Sequence, residues 1–521
     1  MTTLRAAAAA LLVVALVAAG CTDRDGDAAP VSETTTLHRG NGLEPESLDP
    51  HRARGVETFS ILRDLYEGLV AEAADGALIP GVAESWTVSD DGLVWTFALR
   101  DDARWSNGDP VTAHDFEWSL RRAVDPATGS GYAPMLAVIA DIRVPDPLTL
   151  ELTLTGPTPY LPGLLAQPIA FPVHRATVEA HEARFTRPEN SVTNGAFRLV
   201  DWVSQSHLRV ERNGHYWNDA ATRLDAVVYH PVESEATELA RYRAGELHLT
   251  RTFPAQQYEW LVRNLGDEVR TAPYLSTYFY GFNLTREPFA GNPELRAALS
   301  MAIDREVIAN QVMGAGEIAA WSWVPPGVAD YTPQVYEWAD WPPEQRIAEA
   351  KRLYAAAGFS VDAPLRVELR YNTAEAHRRI AVAVASMWRD ALGVETVLHN
   401  EEWGTFLANR QAQVLEVYRS GWVGDYNDAN TFAEALLASH GLNDMGWHDA
   451  RYEALVLGAG RETDLAARRA MLEQAERMML ADYPLIPLYF YVSKALVKPE
   501  VRGYEPNVMN VHPSRHLYLA Q

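Results

Sequence analysis

A single cysteine in 521 residues, at position 21, sets the first limit on how this chain can fold. No intramolecular disulfide and no cysteine-built zinc or iron–sulfur centre can hold it together, so its stability must come from buried apolar surface. With 47% hydrophobic and 22% charged residues the composition is that of a soluble globular protein. Its length allows two or three domains with sizeable cores. The 45 Lys and Arg against 69 Asp and Glu give a net charge of −24. No basic block stands out, which argues against a nucleic-acid partner, because neutralising phosphates takes clustered cations.

The cysteine also has an address. Residues 1–21 read MTTLRAAAAALLVVALVAAGC. Arg5 supplies a short positive region, Ala6 to Ala19 an apolar run, and Ala18-Ala19-Gly20 a small-residue cleavage site. An ordinary secretory signal cleaved near Ala19, with Cys21 incidental, has the same shape. The lone cysteine directly after the site makes the stretch resemble the lipobox of a bacterial lipoprotein, with Cys21 acylated and residues 1–20 removed. Residues 21–36, small, polar and acidic, cannot bury a core and are expected to be a flexible tether. No other segment approaches the roughly 18 apolar residues of a membrane span. The expected location is the periplasm or cell envelope, held to a membrane by the lipid alone.

From His38 onward strand and helix patterns alternate, the helices concentrating in the second half. Trp95 to Leu99 and Leu148 to Leu154 alternate with the two-residue period of a strand, and Val227 to Tyr229 is a short β-branched run. Pro293 to Met313, Pro343 to Ala357, Glu375 to Leu392 and Leu465 to Leu480 read as helices, the last with Asp464 as N-cap. An α/β assembly of more than one lobe follows. The glycine-rich phosphate loops, H-E-x-x-H and G-x-S-x-G are all missing. The 15 histidines are scattered, and carboxylates are too abundant for any pair to mean much. No metal, cofactor or catalytic residue is expected.

Fifteen Trp and 22 Tyr are many for an exported chain. Core packing accounts for most of them. Several stand in polar company, which suits the flat, amphipathic walls of a ligand cleft: Trp403 after Glu401-Glu402, Tyr278-Phe279-Tyr280 before Gly281, and Trp422 within Arg419-Ser420-Gly421-Trp422-Val423-Gly424-Asp425-Tyr426.

Ordered stretches across the chain carry a resemblance. They include Ser47-Leu48-Asp49-Pro50-His51, Pro80-Gly81-Val82-Ala83-Glu84-Ser85-Trp86, and Trp105-Ser106-Asn107-Gly108-Asp109-Pro110. Further on come Thr193-Asn194-Gly195-Ala196, Ala302-Ile303-Asp304-Arg305 and the Gly421 to Asn427 run. From about Leu37 to Leu517 the chain resembles the peptide-binding lipoproteins of ABC importers, the oligopeptide-binding branch of solute-binding protein family 5. The resemblance implies a two-lobed periplasmic-binding-protein fold of type II, with an extra subdomain, closing over a buried cleft. Lobe I would comprise residues 37–66, 191–275 and 491–521, with 67–190 as the extra subdomain. Lobe II would span 276–490, and crossings near Tyr274–Tyr278 and Leu488–Val492 would form the hinge.

By the same resemblance Asp425 receives the α-ammonium of a peptide. Arg419, Arg410 and His377 meet its C-terminal carboxylate at different ligand lengths, and a planar guanidinium suits both carboxylate oxygens. Trp403, Trp422 and Tyr132 line side-chain pockets, while Tyr278 and Gly421 present backbone groups to the peptide as to an added strand. There are departures. Met313 stands where the family has a lysine for longer peptides, and Arg54 where it has a pocket acid. Ser276 and Val423 together replace a disulfide. The expected protein is a monomeric, non-catalytic receptor that hands short peptides to permease subunits. A dipeptide or murein-peptide receptor or sensor of the same family, and a peptidase on this scaffold, are the alternatives.

Overall fold

The computed structural model of the protein describes residues 35–441 and 443–520. The signal sequence, Cys21 and most of the tether lie outside the described residues. The tether expectation overran by two residues. The Thr35 N–H donates to Asp225 Oδ2 at 2.7 Å, and Thr36 already pairs with Ala226 in a parallel ladder. β-Branched threonines favour such an extended partner over a loose tail.

Three larger sheets organise the chain. The first joins Thr36–Gly40, Ala226–His230, His207–Arg212 and Phe197–Val203 in that order. The second is an antiparallel sheet of Ala83–Val88, Val94–Leu99, Thr149–Leu154 and Ile139–Asp146. Strand Thr149–Leu154 buries every second residue, as its sequence alternation requires. The third sheet has six strands, ordered Ile318–Ala319, Leu485–Leu496, Val269–Phe282, Val417–Val423, Arg366–Asn372 and Glu395–Glu401.

Buried apolar side chains form two large cores. One runs from Leu37 to Leu249 and takes in Ala495, Val497, Val501 and Leu517 from the end of the chain. The other is drawn from Leu275 to Tyr489. The fold is therefore α/β with two lobes. Strands Val269–Phe282 and Leu485–Leu496 run antiparallel between them, and their ladder is regular from Val269 to Pro273 and, after a further shift between Tyr278 and Phe279, from Phe279 to Gly281. Between Pro273 and Thr277 the register shifts. A β-irregularity at this point weakens the ladder where the chain passes from one core to the other.

Helix Glu375–Leu392 lies where the periodicity places it. Ile380, Ala381, Val384, Trp388 and Leu392 form its buried stripe, and Gly393 ends it in the left-handed region at φ 78°. Helix Leu465–Asp482 begins at Asp464, whose carboxylate accepts the Ala467 N–H at 2.8 Å. The single helix expected over Pro293–Met313 is broken. Helix Pro293–Met301 stops, Asp304 recaps the chain by accepting the Val307 N–H, and a π-helical turn covers Ile308–Met313. The buried guanidinium of Arg305 explains the break. It donates to Ser300 O and Oγ and to Pro487 O, and those tertiary bonds outweigh continuing the helix.

The Thr193-Asn194-Gly195-Ala196 stretch has a packing reason too. Asn194 bonds both backbone groups of Glu67, and a Cβ on Gly195 would lie 2.6 Å from the Asp64 carbonyl oxygen. Only glycine fits so close to that backbone. Among the described residues no helix is long and apolar enough to cross a membrane.

Candidate functional site

The six-stranded sheet sets up one wall. Tyr278 pairs with Gly421 on one side and Tyr489 on the other, and Tyr280 pairs with Arg419. Directly opposed residues project to the same face, so Tyr278, Tyr280, Arg419 and Tyr489 share one side of the sheet. The three tyrosines are fully buried, Tyr278 stacked on Tyr489 at 4.7 Å and 14° and tilted at 56° to Tyr280. They form a packed aromatic base. Arg419, His377 and Tyr491 are half-buried above it. The Arg419 guanidinium lies 5.3 Å from the Tyr278 ring centroid, and the Tyr278 hydroxyl is 3.3 Å from His377 Nδ1. Burial, with the Arg419 charge adding to it, pushes His377 down to about 4, so the imidazole is neutral at pH 7. Among the described residues no carboxylate forms an ion pair with Arg419.

The second part of the site is a cavity of about 380 Å³. Gly55, Val56 and Phe59 line it from one lobe, Tyr132 and Met135 from the segment leading into strand Ile139–Asp146, and Val423, Gly424 and Asp425 from the other lobe. Tyr274 and Leu275, at the register shift, form part of its floor. Asp425 lies two residues beyond the end of strand Val417–Val423, after Gly424. Its N–H donates to Thr431 Oγ1 at 3.3 Å, yet its carboxylate has no hydrogen bond or ion pair among the described residues. Burial alone pushes that carboxyl up to about 6. Burial pushes the Tyr132 phenol up, and it feels the charges of both Asp425 and Arg54. The Arg54 guanidinium is exposed, lies against Gly131, and has no carboxylate partner among the described residues.

Other residues singled out in the sequence sit elsewhere. Arg410 is engaged, Nε donating to Asp444 Oδ2 at 2.6 Å and Nη1 to Ser420 Oγ at 3.0 Å. Ser420 neighbours Arg419 on one strand, so the two side chains leave opposite faces, and Arg410 lies behind the sheet from Arg419. Trp422 shares the Ser420 side and meets His440 edge to face at 5.5 Å. Trp403 is exposed on the first turn of helix Trp403–Gln411, stacked on Phe406. Met313 ends the π-helical turn, half-buried against the core. Ser276 and Val423 are direct cross-strand partners, with Ser276 Oγ donating to the Trp422 carbonyl. Sequence reasoning missed Tyr489 and Tyr491. Their alternation about Phe490 marks a strand, but only the register puts them on Tyr278.

The model of the bacterial extracellular solute-binding proteins, family 5, matches residues 77–444, well over half the chain. The chain belongs to this family. Among relatives of this solute-binding protein, the periplasmic oligopeptide-binding protein OppA of Escherichia coli K12 is 40% identical over 492 residues, 91% of this chain and 90% of the relative. The periplasmic murein peptide-binding protein MppA of the same organism is 38% identical over 497 residues, 92% of each. The solved structure of MppA in its unliganded open form superposes with a TM-score of 0.86 at 38% identity, over 94% of this chain and 98% of that one. Among the described residues no group of three or more His, Cys, Asp or Glu could hold a metal ion.

Proposed function

We propose that this solute-binding protein is an extracytoplasmic receptor that binds short peptides between its lobes and delivers them to the permease of an ABC importer. The observation that carries this reading is a pair of charges without oppositely charged partners among the described residues. Asp425 is a half-buried carboxylate with none, and Arg419 is a guanidinium with no acid beside it. A zwitterion with a cation at one end and a carboxylate at the other answers both, and a free peptide is that zwitterion. Asp425 takes the α-ammonium, Arg419 with neutral His377 takes the carboxylate, and Tyr132 and Tyr491 flank the path between. Backbone near Tyr278 and Gly421 pairs with the ligand. Arg410, held by Asp444, acts on the carboxylate only by holding strand Val417–Val423 in place. The division into 37–66, 191–275 and 491–521, a subdomain 67–190 and a lobe 276–490 fits the two cores, with the register shift at Pro273–Thr277 as hinge.

Because Met313 offers no cation for a distant carboxylate, ligands of two to four residues are expected to bind best. Calorimetry on an unbiased series of di- to hexapeptides checks this. Tightest binding at five or six residues defeats the length argument, and no binding to any member defeats the receptor reading. A murein-type peptide is the second reading, favoured by the partnerless Arg54 guanidinium near Tyr132, which suits an acidic side chain.

The lipid anchor rests on the position of Cys21. The Cys21→Ser variant is expected to leave the membrane fraction as folded, soluble protein; retention of the variant on the membrane contradicts the anchor.

A further inference from the structure

Beyond the ligand-binding walls, the two lobes meet at a second place. Tyr160 caps the short helix Leu161–Leu165, and its ring stacks nearly parallel on Tyr426 at 4.9 Å and 6°. Tyr426 is buried and rigidly held from its own side. Its hydroxyl donates to Glu434 at 2.9 Å, and Asn430 Nδ2 donates to both Tyr426 Oη and Glu434. Behind Tyr160 stands Arg468, 5.8 Å from the ring centroid and fixed by two 2.8 Å bonds to Asp428. The backbones also meet at glycine distance. A Cβ on Gly163 would lie 3.1 Å from the Tyr426 Cβ, and one on Gly92 would lie 3.1 Å from Thr463 Cγ2.

Tyr426 is the residue after Asp425. Helix Asn430–Glu434 holds both, Thr431 accepting the Asp425 N–H and Asn430 and Glu434 fixing the Tyr426 hydroxyl. Whatever seats one seats the other. We propose that Tyr160 is a positioning residue for ligand retention, its stack on Tyr426 acting as a clasp that joins the lobes beside the Asp425 segment and fixes that segment, without touching the ligand. This rests on the peptide-receptor reading for its ligand but not for its geometry. A receptor for many sequences needs a hold on its anchor that does not depend on ligand side chains. A flat ring pair between lobes supplies it, because stacked rings separate without leaving polar groups stranded.

Two measurements test the clasp. In stopped-flow dissociation of trialanine and of triglutamate, Tyr160→Ala is expected to raise the off-rate about tenfold, a 1.4 kcal/mol change, by the same factor for both peptides. On-rates stay unchanged, and Tyr160→Phe keeps the slow off-rate. Unchanged off-rates, or a factor that differs between the peptides, overturn the proposal. The second measurement needs no ligand. A Gly92→Cys, Thr463→Cys pair is oxidised with glutathione disulfide, and adding Tyr160→Ala should slow the cross-link several-fold. An unaltered cross-linking rate overturns the clasp. If wild-type protein binds neither tripeptide, the receptor reading fails, while the cross-linking rate still decides for or against the clasp.

Discussion

Replacing Asp425 by asparagine is expected to weaken the binding of a free tripeptide by more than a hundredfold. Removing one partner of a desolvated ion pair costs about 3–5 kcal/mol, and 1.4 kcal/mol is a factor of ten. Acetylating the peptide amine should cost wild type a similar amount, because a buried carboxylate is then left unpaired. The two changes should not add, since both delete one interaction. Additive losses by calorimetry, with no coupling, would remove Asp425 from the role of anchor. An exposed acid would instead show about 1 kcal/mol and a strong dependence on salt. Acidity provides an independent check. Burial holds the Asp425 carboxyl up at about 6 in the unoccupied cleft, and an arriving ammonium pulls it back down. Binding therefore needs the ionised form, is complete above pH 6, and falls about tenfold for each pH unit below it. Glu434, pushed up to about 7 by burial, titrates nearby. The comparison is consequently between wild type and Asp425→Asn, whose pH profile should lose the step near 6.

Glu476→Ala is expected to be the most damaging change to stability. Glu476 is buried in helix Leu465–Asp482 and accepts four hydrogen bonds. Trp323 N–H and Val324 N–H reach Oε1 at 2.8 and 2.7 Å, and Tyr331 Oη and Gln334 N–H reach Oε2 at 2.6 and 2.8 Å. Truncation strands three backbone N–H groups and a phenol, each costing about 1–3 kcal/mol when buried. A loss of about 4 kcal/mol or more follows, read as a melting temperature lower by on the order of 10 °C. Burial pushes Glu476 up to about 7, above its unfolded value, so its contribution is full below about pH 4.5 and shrinks as pH rises through 7. The alanine variant should lose that slope in denaturation titrations between pH 5 and 8. A melting temperature within 2 °C of wild type would contradict the assignment.

Much was legible in the residues themselves. Helix Glu375–Leu392 could be drawn to its ends because its apolar stripe and Gly393 are local signals. The strand Thr149–Leu154 was visible in its alternation. The break after Met301 was not, because its cause, the buried Arg305 guanidinium, finds Pro487 across 182 residues. Asp425 by itself is a loop acid among many, and nothing local distinguishes Arg419 from Arg410. Their difference is one of faces: Arg410 finds Asp444 behind the sheet, and Arg419 finds tyrosines and His377 in front of it.

By itself, then, the sequence determined the α/β class, the ends of the longer helices, the absence of cysteine cross-links and, through its ordered motifs, the family. Each depends on neighbours within a few turns or on composition, where hydrophobic period and capping act directly. The tertiary structure alone decided which charges go without partners, that Tyr489 stacks on Tyr278, and that Tyr160 meets Tyr426. Those contacts join residues more than 200 positions apart, and they exist only once strand register has chosen a face.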